Sequence, residues 1–480
     1  MADKLSYEDL KLGEKAKKAF LDGKTPEYIK ENCPVYLNTN NFFAGLNVTD
    51  LAVAGVLAGM NTLLIGNTGC GKSQLARDIH NYYFNGSKLE GGHALTIEGH
   101  SELDIYRDIL TDINKEQVQR VLNGNHKSLF WDLEEFNRCP PIAQNQFLAI
   151  GNGRIMHKGN SIPIGDKGYV SSIATANYGN GEFKGTFDVD KALGNRFGLV
   201  LDLDYSQFQP TIEDRILIDR LREAHPGIKE APKRDLTEKI IQANKEISQL
   251  TLEPGLEARA VMDYLKFGLG NCQGEGESPT AKGKTWPYKC QDCSRNKNGK
   301  EICSLVSVPV QRTLQSVARY ASALHYLAKL KNPEQEINPV DLMFKAFELT
   351  SAYQNVLNPS ILKSEYLDEA PKMIAEVAER LKSDFKENQD IILTSLEEAT
   401  KGNRALDYFK TADGTTLLGY SELSQKGKSA VNPYEPFNNN RAIGLSWVKD
   451  AVDIEIDMAK NKKDKDSQEK QENKEKDKQQ

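Results

Sequence analysis

Between residues 46 and 208 the apolar positions fall into short runs separated by stretches of helical period. The runs are Thr62–Ile65, Ala94–Glu98, Ser128–Leu133, Val170–Thr175 and Gly198–Leu203. Leu63–Ile65, Leu129–Trp131 and Leu199–Leu201 are apolar on successive residues, so both faces of such strands are to be covered. Strands of that kind alternating with helices predict an α/β fold with a parallel sheet between helical layers. Residues 1–45 read as a helical lead-in that ends in the irregular "NTNNFF". From about 209 to 350 the pattern is helical, broken by a Gly-, Pro- and Cys-rich insert at 271–304. A helical region follows over 351–458, where Met373, Ile374, Val377, Ala378, Leu381 and Phe385 mark one packed face. The final stretch, 459–480, is charged and lacks the apolar residues a core needs, so it is expected to be a disordered tail. No internal repeat is evident.

Composition narrows the class. The chain has 480 residues, 39% hydrophobic and 27% charged, as an ordinary globular protein does, and this length suggests several domains. A net charge of −6 gives no global basic field to draw it to nucleic acid. The N-terminus "MADKLSYEDLKLGEK" is charged throughout and does not resemble a secretory signal. The longest apolar stretch is too short to span a membrane and is interrupted by Asn61. Seven cysteines, an odd number, suit a reducing compartment, so a cytoplasmic location without membrane attachment is expected.

The candidate chemistry begins at "NTLLIGNTGCGKS". Gly66, Asn67, Thr68, Gly69, Cys70, Gly71, Lys72 and Ser73 form the pattern G-x-x-x-x-G-K-S between a predicted strand and a predicted helix. Glycines let backbone N–H groups turn inward around phosphate oxygens, and the helix N-terminus adds partial positive charge. Lys72 can then reach β- and γ-phosphates and Ser73 can hold Mg²⁺, which points to ATP and Mg²⁺ as cofactors. A second strand, "SLFWDLEEFNR", offers Asp132, Glu134 and Glu135. Alternation puts Asp132 and Glu134 on one face and Glu135 on the other. One acid would serve the metal shell while Glu135 polarises water. Asn177, at the tip of the next strand, could orient that water. Arg196 lies just before a further strand and is available to stabilise transition-state charge, in its own or a neighbouring subunit; the alternative is a surface arginine paired with Asp202 or Asp204.

In this order the motifs resemble those of AAA+ ATPases of the MoxR group, in the helix-2-insert branch. The carrying residues are the P-loop, then Glu134-Glu135-Phe136-Asn137-Arg138-Cys139-Pro140-Pro141, then the hairpin-like "GRIMHKGNSIPIGDKGYV" and "ATAN" ending at Asn177. "GTFDVDKALGNRF" makes Arg196 the arginine-finger candidate, and Arg312 matches the lid's second sensor. The resemblance covers roughly residues 43–350. It implies a P-loop AAA+ core over 46–208, a helical lid over 209–350, and a homo-oligomeric ring, a hexamer, that hydrolyses ATP to remodel a protein client in chaperone-like fashion. A client with a von Willebrand factor A domain is typical of that group. Three departures stand out, one of them the Cys-rich insert inside the lid, which is not part of the usual pattern. The expected metal-shell aspartate is Glu134, leaving Glu134 or Asp132 for that task, and Asn195 precedes the finger in place of Asp. Two other readings stay open: a nucleic-acid motor or loader, favoured by Arg154, His157 and Lys158 on the hairpin but not by any basic stripe, and an ATP-binding switch with little turnover.

The insert holds Cys272, Cys290, Cys293 and Cys303. Cys290 and Cys293 form a C-x-x-C turn, whose spacing lets two thiolates meet one tetrahedral ion, and the outer pair could complete a structural Zn²⁺ site. Free thiols or a redox pair are the alternatives.

Overall fold

The computed structural model describes residues 4–88, 91–98, 110–112, 120–122, 124–138, 147, 149–157, 160–177, 194–221, 227–230, 232–270, 286–288, 301–402, 447–448 and 450–461. The tail from 462 lies outside them. The chain divides into two compact units: one of residues 1–253, 315–337 and 349–354, the other of residues 254–314, 338–348 and 355–480.

The first unit is built on five parallel strands: β3 (Asn61–Gly66), β4 (Ala94–Glu98), β7 (Phe130–Glu134), β10 (Ser171–Asn177) and β11 (Leu199–Asp202). All five predicted runs are in it, within a residue or two at most ends. The order across the sheet is β11-β3-β10-β7-β4, so the strand that leads into the P-loop lies inside the sheet. Parallel strands need crossovers, and helices α4 (Val48–Leu57) and α5 (Lys72–Phe84) supply two of the covering elements. Nearly every side chain of β3 and β10 is buried, and in β10 these include the polar Ser171, Ser172, Thr175 and Asn177. One face carries the cluster of Leu63, Ile65, Trp131, Leu133, Phe136 and Phe197.

Beside the hairpin of β1 (Asn41–Phe43) and β2 (Leu46–Asn47), two more stand outside this sheet among the described residues. β8 (Arg154–His157) pairs antiparallel with β9 (Asn160–Pro163), as the hairpin resemblance implies. β5 (Leu110–Asp112) and β6 (Arg120–Leu122) form a second, which no apolar run signals. The lead-in contains α1 (Tyr7–Leu10), α2 (Gly13–Leu21) and α3 (Pro26–Asn32). It is tied to the core through Asp50 on α4. Tyr7 donates its hydroxyl to Asp50 and to Glu14, each at 3.1 Å, and Lys331 donates to both carboxylates at 3.1 Å.

The second unit is helical in its described residues. Its core centres on Tyr264, whose ring meets those of Phe344, Phe385 and Trp447 at 5.5 to 6.2 Å. The helix Ala370–Lys386 buries Met373, Ile374, Val377, Ala378, Leu381 and Phe385, the face read from the 3.6-residue spacing.

Candidate functional site

The phosphate loop joins the C-terminal end of β3 to the N-terminus of α5. Gly66, Gly69 and Gly71 all have positive φ (141°, 87° and 92°), which L side chains avoid and which aims successive amides inward. Gly71 has a second requirement: a methyl group there would stand 2.8 Å from Cε2 of Tyr36, whose ring lies over the loop. Lys72 is buried at 7% exposure and donates Nζ to the carbonyls of Gly66 (2.9 Å) and Asn67 (2.8 Å). Its Nζ is also 3.6 Å from the sulfur of Cys70, whose thiol is pushed up by burial. The cradle of inward amides, the helix N-terminus and this lysine together suit a polyphosphate.

Tyr36 is fastened by Asp78, in the second turn of α5. Asp78 accepts from the Tyr36 N–H at 2.7 Å and from Gln74 Nε2 at 2.8 Å. The lead-in therefore forms part of the site's wall. Neither residue was singled out from sequence, because nothing in "PVY" connects it to a helix forty residues on.

Strand register separates the three acids. Asp132 is level with Ile173 and so with Thr62, four positions before Gly66, or about 13 Å down the sheet. Its side chain is fully buried, and neither carboxylate oxygen has a hydrogen-bond partner. Burial and the nearby charge of Glu134 push this carboxyl well above the usual carboxylate range. Glu134 ends β7 two positions nearer the loop, and its Oε1 accepts from Arg77 Nη2 at 2.9 Å. Arg77 is on α5, one turn beyond Ser73, so Glu134 faces the helix that carries the loop's serine.

Glu135 leaves the strand altogether. Its φ is +49°, a left-handed conformation that costs a residue with a Cβ about 1–3 kcal/mol. Simple alternation therefore does not extend to it. The turn directs its carboxylate towards Asn177 Nδ2 (3.5 Å) and Arg138 Nε (3.0 Å), while its N–H donates to Thr175 Oγ1 at 3.0 Å. Asn137 Nδ2 donates to the Asn177 carbonyl at 3.0 Å, locking the end of β10 to the turn after β7. Glu135 and Asn177 are thus brought together at the same end of the sheet as the phosphate loop, with Arg138 as an added partner.

Arg196 is at the other end. Its carbonyl accepts from Asn61 Nδ2 at 3.3 Å, beside the first residue of β3, whereas the loop starts at Gly66, the last. About 17 Å of strand separates the two, more than an arginine side chain spans. Of the alternative partners, Asp202 ends β11 and Asp204 lies just beyond it, and both bond elsewhere. Asp202 accepts from Tyr353 OH at 3.0 Å, and Asp204 accepts from the Asn67 N–H at 2.6 Å.

Arg312 is exposed in the first turn of the helix Gln311–Lys331, in the portion assigned to the second unit. Arg154 is exposed on the hairpin, and His157 is on the same strand; Lys158, Cys139, Pro140 and Pro141 lie outside the described residues. So do Cys272, Cys290 and Cys293. Cys303 is in the short helix Ile302–Leu305 and is not in a disulfide. Among the described residues no cluster of three or more His, Cys, Asp or Glu could hold a metal, so the zinc reading gains no support. Among the same residues no helix is long and apolar enough to cross a membrane.

A P-loop at the end of an inner parallel strand, with acids and an asparagine at adjacent strand ends, defines a nucleotide-binding P-loop domain. More particularly, residues 61–197 match the AAA domain of the dynein-related subfamily, and the resemblance to AAA+ ATPases of the MoxR group is borne out at the level of this domain. No curated protein matches the sequence. Among solved structures, a candidate ATPase from Cytophaga hutchinsonii aligns with TM-score 0.47 and 15% identity, covering 75% of this chain and 94% of its own. A full-length MCM homologue from Methanopyrus kandleri aligns with TM-score 0.37 and 12% identity over 64% of this chain and 55% of its own. At those values neither likeness bears on activity.

Proposed function

We propose that this chain is an ATP hydrolase that works as a homo-oligomeric ring, a hexamer, and couples turnover to remodelling of a protein client. The observation that carries the reading is the placement of the charged groups. Glu135 and Asn177 meet at the phosphate-loop end of the sheet, while Arg196 is at the opposite end, far from its own subunit's loop, which supports action on a neighbour's nucleotide.

In this reading the loop amides and Lys72 bind the phosphates. Ser73 and Glu134 offer hard oxygen donors on facing elements, a set that suits Mg²⁺, and would hold it. Bound there, the ion would neutralise charge that develops on the phosphate oxygens. Glu135 polarises the attacking water, and Asn177 holds the Glu135 carboxylate and that water in register. Asp132 is not part of this set, because it lies too far down the strand. Arg196 of each subunit stabilises the charge that develops on its neighbour's nucleotide, an effect of about 10³–10⁵ in rate where such arginines act.

Mixed oligomers test this. Arg196→Ala should cut turnover far more than ATP binding, and mixing it with Lys72→Ala subunits should restore part of the activity, since one kind of interface then has both groups intact. Failure to recover activity, with co-assembly confirmed, refutes action in trans. Protein remodelling is favoured over a nucleic-acid motor by the chain's net charge of −6. The exposed Arg154 on the β8–β9 hairpin supports the second reading, and stimulation of ATPase by DNA rather than by a co-purifying protein would establish it.

A further inference from the structure

The first amide of the phosphate loop is already engaged by a carboxylate. Asn67 N–H donates to Asp204 Oδ2 at 2.6 Å, and a methyl group on Gly66 would stand 3.3 Å from that same oxygen. Asp204 lies just beyond the sheet, since the Leu203 N–H makes the last bond from this strand, to the Ile65 carbonyl at 2.9 Å. It can therefore move without breaking the ladder. Its own N–H donates to Asp202 Oδ1 at 3.1 Å, and Asp202 Oδ2 accepts from Tyr353 OH at 3.0 Å.

The next residue along the chain reaches the opposite way. Gln354 Nε2 donates to the Phe197 carbonyl at 2.7 Å, one residue after Arg196, and is 3.5 Å from the Gly194 carbonyl. Two consecutive residues thus grip both ends of β11, which among the described residues is an edge strand hydrogen-bonded to β3. One end touches the phosphate loop and the other carries the arginine loop.

We infer that Asp204 is a latch on the phosphate loop which a bound polyphosphate displaces, and that Asp202, Tyr353 and Gln354 carry that displacement to the loop presenting Arg196. The inference rests on nucleotide binding at the P-loop. Its physical basis is competition between like charges: the Asp204 carboxylate and a polyphosphate seek the same amides and the same lysine field, and they repel each other at short range. Lys72 Nζ is bonded to the carbonyls of the very two residues that Asp204 flanks. A subunit that binds ATP would thereby alter the arginine it offers to its neighbour, which gives the ring a route for ordering its turnovers.

Asp204→Asn tests the latch, since the amide still accepts from Asn67 N–H but carries no charge. It should bind ATP and inorganic tripolyphosphate about tenfold more tightly, by the same factor for both, because the effect lies at the phosphates. Tyr353→Phe tests the relay. It should keep wild-type ATP affinity but lose the ATP-induced change in hydrogen exchange across residues 194–203 that wild type is expected to show. If Asp204→Asn leaves both affinities unchanged while Lys72→Ala abolishes binding, the latch is wrong. If Lys72→Ala still binds ATP, the P-loop reading fails instead. Absence of an exchange change at 194–203 in wild type, or its persistence in Tyr353→Phe, overturns the relay.

Discussion

Asp78 should make the stability of the first unit depend on pH in a direction opposite to that of most carboxylates. The side chain has 0% exposure. Burial is the main cause that pushes its carboxyl up to about 7; hydrogen bonds from the Tyr36 and Val35 amides and from Gln74 work the other way, and Glu230 adds to the rise. In the unfolded chain an aspartate titrates near about 3.9. The folded state therefore holds the proton more tightly. The stability this confers is complete below about pH 4, is lost at about 1.4 kcal/mol per unit as pH rises, and is gone above about pH 7. The full span is about 4 kcal/mol, and the part between pH 5.5 and 7.5 is about 2 kcal/mol. Asp78→Asn cannot titrate, so comparing it with wild type cancels every other group, including Asp132. Thermal unfolding at the two pH values should show wild type losing about 4–8 °C relative to the variant between pH 5.5 and 7.5. Parallel pH profiles for the two proteins would refute the reasoning. The consequence reaches the site, because Asp78 holds the Tyr36 backbone that seats its ring over Gly71.

Other outcomes follow from the same geometry. Lys72→Ala should abolish ATP binding, whereas Glu135→Gln should keep binding and stop turnover; equal loss of affinity in both, measured by equilibrium titration, would break that division of roles. Glu134→Gln should raise the Mg²⁺ concentration needed for half-maximal turnover. Asp132→Val should leave that requirement alone and raise the thermal midpoint at pH 7 by the equivalent of about 1–3 kcal/mol, since it removes two buried, unpartnered oxygens. A shifted Mg²⁺ requirement in Asp132→Val would contradict the strand register. Gly71→Ala should lose phosphate binding and destabilise by about 1–3 kcal/mol from its left-handed φ alone, and retention of wild-type ATP affinity would show that the Tyr36 ring yields.

Much of this protein is decided by short-range pattern. Short apolar runs between stretches of helical period are enough to mark the five strands, and Leu63–Ile65, Leu129–Trp131 and Leu199–Leu201 are continuous because a strand covered on both faces tolerates few polar residues. The phosphate loop is equally local: a glycine at each left-handed position and a lysine at the helix start do their work within eight residues. Even the shared face of Asp132 and Glu134 follows from alternation. What the residues alone left open was depth and partnership. Whether Asp132 or Glu134 stands near the loop depends on how β7 is registered against β10 and β3, and register comes from packing whole strands together. The turn at Glu135, Tyr36 over Gly71 and the chain from Asn67 through Asp204 to Tyr353 join residues up to nearly three hundred positions apart. No local preference encodes such contacts. They arise only when the sheet brings the ends of its strands to one edge, and there the phosphate loop and its neighbours meet.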